Sequence, residues 1–233
     1  MWICCRQAIK RYYTRIALES GLPVIGYYLP KQLPALTMDE LGELLAVPGV
    51  LGLKFSDHNF FVLERLLDAH VDSGKQLIYT GPDEQFALGQ TLGAHGGIGA
   101  TYSCMVCHDE GGVNAYVRVA ELLASGEREA AFALQAEVNK VIEKLIGFEG
   151  SHGPAPHKAI LYWQGRISHT TMAADRRALS PAEAHQLREA LEETFLAPTL
   201  VQGLTAVEGV AVELGRRWGA GSPNPSVKYP ARL

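Results

Sequence analysis

One lysine, Lys54, lies inside an apolar stretch at residues 50–57, and it is a candidate for covalent chemistry. The side chains around it show no regular polar alternation, which is typical of a strand buried on both faces in a parallel sheet. Burial disfavours the charged form of an amine, and a neutral lysine is a nucleophile that forms Schiff bases with carbonyl compounds. The alternative is a strand-end lysine whose ammonium group reaches water.

Further polar side chains stand at the ends of the predicted strands. They are Tyr27 and Tyr28 at the first strand, Ser56 and Asp57 at the second, residues 79–84 at the third and residues 100–103 at the fourth. Ligands of barrels and open sheets bind at the carboxyl ends of parallel strands, so these groups are expected to surround one small carbonyl compound. Lys54 would be the nucleophile and a tyrosine the proton carrier. Taken singly, such tyrosines often only anchor packing, and Asp83 and Glu84 would favour a helix start.

Strands and helices must alternate to bring these groups together. Strands are predicted at residues 22–29, 50–57, 76–80 and 97–102. Helices are predicted at residues 6–19, 59–71, 83–92, 113–124, 127–146 and 157–164, with two capped helices that start at Thr37 and Ser180. The stretch after Gly147 is predicted to be a loop. The alternation predicts an α/β fold with a parallel sheet and right-handed crossovers.

The composition is that of an ordinary globular protein. The chain has 233 residues, 47% of them hydrophobic and 20% charged, which is enough for one sizeable core. We expect a single domain over residues 1–200 and a partly mobile extension over residues 201–233. The net charge of −4 gives no indication of a nucleic-acid partner, and no apolar run is long enough to span a bilayer.

The start of the chain lacks the apolar core of a secretory signal. Its basic first residues would also suit a transit peptide, but they continue directly into a strand pattern, which favours an ordinary helix. Without a secretory signal, the four cysteines are expected to be reduced thiols, and a cytoplasmic location follows.

Two short motifs suggest cofactors but lack the required context. Residues 104–108 read CMVCH and match a haem-attachment pattern, yet no export signal and no second cysteine pair accompany them. Residues 93–99 resemble the glycine loop of dinucleotide-binding oxidoreductases, with Tyr27 and Lys31 as a possible catalytic pair. The order is wrong for that fold, since the pair comes first, and Pro30 breaks the helix that it would need.

Four ordered motifs resemble one known family. Residues 27–30 (YYLP), 52–57 (GLKFSD), 81–84 (GPDE) and 96–102 (GGIGATY) are similar to the N-acetylneuraminate lyase and dihydrodipicolinate synthase superfamily, and to its lyase branch above all. The resemblance covers about residues 9–196. It implies a (β/α)₈ TIM barrel, usually tetrameric, and a class I aldolase that cleaves or forms a carbon–carbon bond next to pyruvate. In the lyase branch, sialic acid is split into pyruvate and N-acetylmannosamine.

The resemblance gives each candidate residue a role. Lys54 would form the Schiff base with the pyruvate keto carbon, and Tyr27 would pass a proton between the aldol hydroxyl and the substrate carboxylate. The residues that would bind the polyol part of the substrate are Ser56, Gly81, Asp83, Glu84 and Ala100. The family usually has serine at the last position, so one substrate hydrogen bond is absent. No metal ion or other cofactor is implied.

The chain resembles only the second part of the family barrel. No match to the glycine-rich segment that grips the pyruvate carboxylate precedes Tyr27. The prediction is therefore a partial barrel of about four β/α units with the C-terminal helices, whereas closure requires about eight strands. Its exposed sheet edges predict association, as a homo-oligomer or with a partner, and a monodisperse monomer in light scattering would contradict that. The alternative function is that of an inactive member that acts only through association with related subunits.

Overall fold

The computed structural model of the chain describes residues 2–31, 35–70, 76–107, 112–173 and 176–201. Two compact units share these residues. The first comprises Met1–Glu143 with Thr194–Leu196, and the second comprises Lys144–Glu193 with the described residues from Ala197 onward. The single domain over residues 1–200 stays a prediction, and the extension over 201–233 lies almost entirely outside the described residues.

Strands and helices alternate through the first unit, as the sequence predicts. The strands are β1 (Val24–Tyr28), β2 (Val50–Phe55), β3 (Leu77–Thr80), β4 (Gly96–Gly97), β5 (Val106–Cys107) and β6 (Val113–Asn114). The helices are α1 (Trp2–Ser20), α2 (Met38–Leu45), α3 (Phe60–His70), α4 (Phe86–Thr91), α5 (Ala115–Ala124), α6 (Arg128–His152), α7 (Ala155–Trp163) and α8 (Pro181–Leu191). Short 3₁₀ turns are formed by Asp83–Gln85 and Ala197–Thr199.

The first four strands form one parallel sheet in the order β1-β2-β3-β4. The register aligns Tyr27 with Lys54, and Lys54 with Tyr79. The predicted parallel α/β sheet is therefore confirmed. A separate two-stranded antiparallel sheet joins β5 to β6.

The core of the first unit lies between this sheet and the helices α2 and α3. Leucines at helical spacing supply its helical side, and β2 and β3 supply Leu53, Phe55 and Ile78, all fully buried. The buried leucines are Leu41, Leu44 and Leu45 of α2 and Leu63, Leu66 and Leu67 of α3. Burial of each such side chain contributes about 1.5–3 kcal/mol and holds α2 and α3 against the sheet. The predicted capping box of α2 is confirmed, since Thr37 and Glu40 bond to each other's backbone N–H groups.

Two predicted elements differ from the structure. The strand predicted at 97–102 ends at Gly97, because Asp83 binds the chain at Thr101 and draws it out of the sheet. The loop predicted after Gly147 is wrong up to residue 152, because α6 continues to His152. Glycine weakens a helix by only about 0.5–1 kcal/mol, and α6 ends where Gly153 adopts a positive φ of 56°.

The second unit is helical. Helix α8 begins at the predicted capping box of Ser180 and Glu183, which the structure confirms. Hydrogen bonds from Arg177 and Ser180 lower the pKa of Glu183 to about 2. The guanidinium of Arg188 on α8 lies 5.4 Å from the centre of the buried Trp163 ring on α7, so the two helices are joined by a cation–π contact. Within the described ranges, no helix is both long and apolar enough to cross a membrane.

Candidate active site

Lys54 and Tyr27 face each other across the first two strands. The Lys54 Nζ lies 4.3 Å from the centre of the Tyr27 ring, and the two residues are register partners. Lys54 is half-buried, and Tyr27 is 47% exposed. The expectation that β2 is buried on both faces is wrong, because Leu51 is 41% exposed and because the core with α2 and α3 covers the face of Leu53 and Phe55, not that of Lys54. The contact brings together the two side chains that the sequence predicts as nucleophile and proton carrier.

Tyr79 is a neighbour of Lys54 that sequence reasoning left without a role. It is the register partner of Lys54 on β3, on the side opposite to Tyr27. Register partners point to the same face of a sheet, so Tyr27, Lys54 and Tyr79 form one row. The available signal was its place among the strand-end residues 79–84, and in the structure Tyr79 is half-buried whereas Ile78 is fully buried.

The chain after β2 and the chain after β3 approach closely at Ser56 and Gly81. The Gly81 N–H donates to the Phe55 carbonyl over 2.7 Å, which extends the ladder beyond the strand ends. A Cβ atom on Gly81 would lie 1.9 Å from the Ser56 Oγ, so only glycine fits there. The Ser56 hydroxyl is buried and has no hydrogen-bond partner within the part of the chain that the structure describes. A ligand oxygen at this strand end is thus a group that it could bind.

Asp83 is a buried carboxylate that organises the loop after β4. Its Oδ2 accepts hydrogen bonds from the Thr101 N–H and the Thr101 hydroxyl, both over 2.7 Å. Thr101 in turn shares a 2.6 Å hydrogen bond with the Tyr116 hydroxyl. Only 7% of Asp83 is exposed, and this burial raises the pKa of its carboxyl. The carboxylate is therefore directed into the protein, towards the loop that carries Ala100.

Glycine makes this carboxylate contact possible. A Cβ atom on Gly99 would lie 1.6 Å from the Asp83 Oδ1. Ala100 follows directly, and its side chain is exposed. Sequence reasoning expected both Asp83 and Ala100 to bind substrate. In the structure, Asp83 is buried and binds the loop that carries Ala100, whereas Ala100 itself is exposed on that loop.

Glu84 is held by a hydrogen bond to His58 across two strand ends. Its Oε1 lies 2.6 Å from the His58 Nε2, and the two side chains are 37% and 48% exposed. Its backbone carbonyl accepts a hydrogen bond from Asn139 on α6. This arrangement fixes the direction of the Glu84 carboxylate while leaving it in contact with solvent, as a ligand-binding group requires. Sequence reasoning did not find His58.

Helix α6 supports the turn that carries Asp83 and Glu84. The Gln135 amide donates to the Asp83 carbonyl over 3.2 Å, and its oxygen accepts from the Ala87 N–H over 3.0 Å. Gln135 also donates to Asn139, four residues later on the same helix face. Sequence reasoning missed both residues. The available signal was two amides at helical spacing on an otherwise apolar stripe.

The cysteine motif carries no site in the described structure. The Cys104 thiol donates to the Thr101 carbonyl over 3.1 Å, so it belongs to the Asp83 loop arrangement. His108, the last residue of the haem-like motif, lies outside the described residues. Across the described ranges, no group of three His, Cys, Asp or Glu side chains is placed to hold a metal ion.

Comparison with known proteins gives the family. Residues 4–194 match the dihydrodipicolinate synthetase family. The N-acetylneuraminate lyase of Rhizobium meliloti is 32% identical over 187 residues, which cover 77% of this chain and 59% of that protein. The N-acetylneuraminate lyase of Salmonella agona is 38% identical over 177 residues, or 76% of this chain and 54% of that protein.

The solved structures agree with the fold. The sialic acid aldolase of Ruminococcus gnavus aligns with a TM-score of 0.69 and 27% identity, over 83% of this chain and 61% of that one. The chain thus spans 54% to 61% of the length of these three relatives, and its parallel sheet with helices is a partial TIM barrel. On the match over residues 4–194, the chain belongs to the dihydrodipicolinate synthetase family.

Proposed function

We propose that this chain carries the Schiff-base site of a class I aldolase that cleaves or forms a carbon–carbon bond next to pyruvate. The observation that carries the proposal is the contact between the Lys54 amine and the Tyr27 ring on the row of side chains across the sheet. The relatives named N-acetylneuraminate lyase support it, as does a structure of the Ruminococcus gnavus sialic acid aldolase with its catalytic lysine mutated. A sialic-acid-like sugar acid is the proposed substrate.

The reaction begins at the Lys54 amine. In its neutral form the amine adds to the keto carbon of the sugar acid, and uptake of one proton from solvent with loss of water gives a protonated imine; that proton is released again when the imine is hydrolysed. The bond between the third and fourth substrate carbons then breaks, and its electron pair moves to the imine to form an enamine. Tyr27 takes part by passing the proton of the fourth-carbon hydroxyl to the substrate carboxylate, so that this carbon leaves as an aldehyde. Protonation of the enamine and hydrolysis release pyruvate and restore the amine.

The groups at the strand ends suit the polyol part of the substrate. The unsatisfied Ser56 hydroxyl and the chain at Gly81 meet directly after β2 and β3. Glu84 offers a carboxylate in a direction fixed by His58. Ala100 adds an exposed methyl group where most of the family has a hydroxyl. Asp83 would act on the substrate through the loop that it holds.

Borohydride trapping tests this proposal. The protein is incubated with pyruvate, reduced, and measured by intact mass, and we expect one reduced pyruvate adduct per chain. The adduct should be lost in Lys54→Ala and kept in Lys140→Ala, a matched change of an exposed lysine on α6. Circular dichroism shows whether each variant is folded. A folded wild-type chain without an adduct would refute the Schiff-base site.

A second candidate function is association without catalysis. Strand β1 has β2 as its only strand neighbour in the described residues, so another strand could add along its outer edge on either side of Tyr27, whose backbone groups already bind Tyr13. The chain also spans only about 60% of the length of its relatives. Related subunits, or further copies of this chain in a homo-oligomer, are the proposed partners. Light scattering should show association, and a monodisperse monomer without a pyruvate adduct would contradict both candidate functions.

A further inference from the structure

The open edge of β1 is occupied by a side chain. Residues of a strand alternate in the direction of their backbone hydrogen-bonding groups. The backbone groups of Val24 and Tyr28 point towards β2 and its flanking residues. The Val24 N–H donates to the Gly49 carbonyl, and the Tyr28 carbonyl accepts from the Ser56 N–H. The N–H and carbonyl of Tyr27 therefore point to the opposite side, where no further strand pairs with β1 in the described residues.

Tyr13 of helix α1 satisfies both of these groups. Its hydroxyl oxygen accepts from the Tyr27 N–H over 2.9 Å, and its O–H donates to the Tyr27 carbonyl over 3.3 Å. A hydroxyl can do both at once, because it has one donor hydrogen and two acceptor lone pairs. The Tyr13 hydroxyl thus provides at Tyr27 the two backbone hydrogen bonds that a neighbouring strand provides elsewhere in a sheet.

The ring of Tyr13 is anchored independently of its hydroxyl. It is half-buried and packs against the core cluster of the sheet, and Tyr12 lies edge-on to it with ring centres 5.4 Å apart. Packing therefore explains an aromatic ring at this position, and phenylalanine would serve equally well. It does not explain a hydroxyl placed between the two backbone groups of a single residue.

We propose that Tyr13 is a positioning residue for Tyr27, and this role rests on the proposed aldolase function. Edge strands open locally at low cost when their backbone groups have no partner. Tyr27 must hold its phenol beside the Lys54 amine, and its ring direction follows from its backbone. The Tyr13 hydroxyl fixes that backbone at the one residue of the edge where displacement would separate the phenol from the amine.

The test compares Tyr13→Phe with Tyr12→Phe. Both remove one phenolic oxygen from adjacent aromatic residues on α1, but Tyr12 is 60% exposed, and the hydroxyl that binds the Tyr27 backbone is that of Tyr13. In Tyr13→Phe, amide hydrogen exchange measured by NMR should be about 3- to 10-fold faster at Tyr27, as loss of a hydrogen bond predicts, with little change at Leu53 or Ile78. Tyr12→Phe should leave all three amides unchanged.

The kinetics of Tyr13→Phe show whether Tyr13 positions Tyr27 for catalysis or only stabilises the edge strand. In Tyr13→Phe, kcat for cleavage of a sialic acid should fall about tenfold, with KM and pyruvate trapping on Lys54 close to the wild type. Unchanged exchange at Tyr27 would overturn the proposal. Faster exchange with unchanged kcat would also overturn it and leave only an edge contact. If the wild type itself forms no pyruvate adduct, the proposed function fails, whereas an adduct with unchanged kcat in Tyr13→Phe refutes Tyr13 alone.

Discussion

Lys54 and Tyr27 are register partners on adjacent strands, and the Lys54 Nζ lies 4.3 Å from the centre of the Tyr27 ring. The face of an aromatic ring attracts a cation, so the ring holds the lysine side chain across the sheet and limits its extension into solvent. Because the same residue carries a phenol, the group that binds the lysine can also exchange a proton next to it.

Tyr27→Phe separates these two contributions. The variant keeps the ring face and loses the hydroxyl, so pyruvate trapping on Lys54 should stay close to the wild type. Cleavage of the sugar acid should slow by about 10²- to 10⁴-fold, as is typical when a general acid–base group is removed. Steady-state kinetics and borohydride trapping on the same preparation measure both effects. Equal losses of trapping and cleavage would show that Tyr27 acts only by placing Lys54.

The meeting of Lys54 and Tyr27 could be predicted from the sequence, because strand patterns and the alternation of elements place both at one edge of a parallel sheet. The shape of the loop after β4 could not. It depends on Asp83, a residue 18 positions before Thr101, and on the absence of a side chain at Gly99. Such long-range contacts of buried polar groups leave no periodic signal.

The half-burial of Lys54 also could not be predicted from the local sequence pattern. The apolar residues around it predict a strand covered on both faces, whereas the core with α2 and α3 covers only the face of Leu53 and Phe55. The strand predicted at 97–102 is also longer than β4, which ends at Gly97. Small residues at 97–102 suit a strand, but the hydrogen bond from the Thr101 N–H to Asp83 holds that segment in a loop.

Gly99→Ala tests the close approach of the loop to Asp83. The added methyl group would have to occupy space within 1.6 Å of the Asp83 Oδ1, so we expect the unfolding free energy to fall by about 1–3 kcal/mol. Gly147→Ala is the matched control, because nothing lies within 4 Å of a Cβ atom there and the residue is helical. That variant should be unchanged or more stable by about 0.5–1 kcal/mol. Urea unfolding followed by circular dichroism measures both, and equal stability of the two variants would contradict the contact.

Asp83→Asn tests the buried carboxyl. Burial raises the pKa of Asp83 above its ordinary value of 3.8, so the folded state holds this proton more tightly than the unfolded chain does. The resulting stabilisation is fully present below pH 3.8 and is lost as the pH rises through the folded pKa. Asparagine does not titrate, so the unfolding free energy of the variant should not show this fall. The unfolding free energy of the variant minus that of the wild type should therefore increase over that pH range. Urea unfolding at a series of pH values measures the difference, and parallel curves for the two proteins would refute the raised pKa.

His58→Ala tests the hydrogen bond with Glu84. Both side chains are substantially exposed, and such pairs contribute little to stability, so the melting temperature should change little. The direction of the Glu84 carboxylate would be lost, and KM for a sialic acid should rise about 2- to 10-fold while pyruvate trapping is kept. His58→Gln, whose amide can also donate to Glu84, should recover part of the affinity. An unchanged KM in His58→Ala would show that the pair has no part in substrate binding.

Ala100→Ser is predicted to improve the site. The methyl group of Ala100 is exposed on the loop held by Asp83, and its surroundings leave room for a hydroxyl. The serine could donate a hydrogen bond to a substrate hydroxyl, which is worth about 0.5–1.5 kcal/mol, so KM for a sialic acid should fall about 2- to 10-fold. Ala124→Ser, at an exposed position at the end of α5, is the matched control and should leave KM unchanged. If kcat and KM of Ala100→Ser equal those of the wild type, the loop after β4 does not contact the substrate, and Asp83 then serves the fold alone.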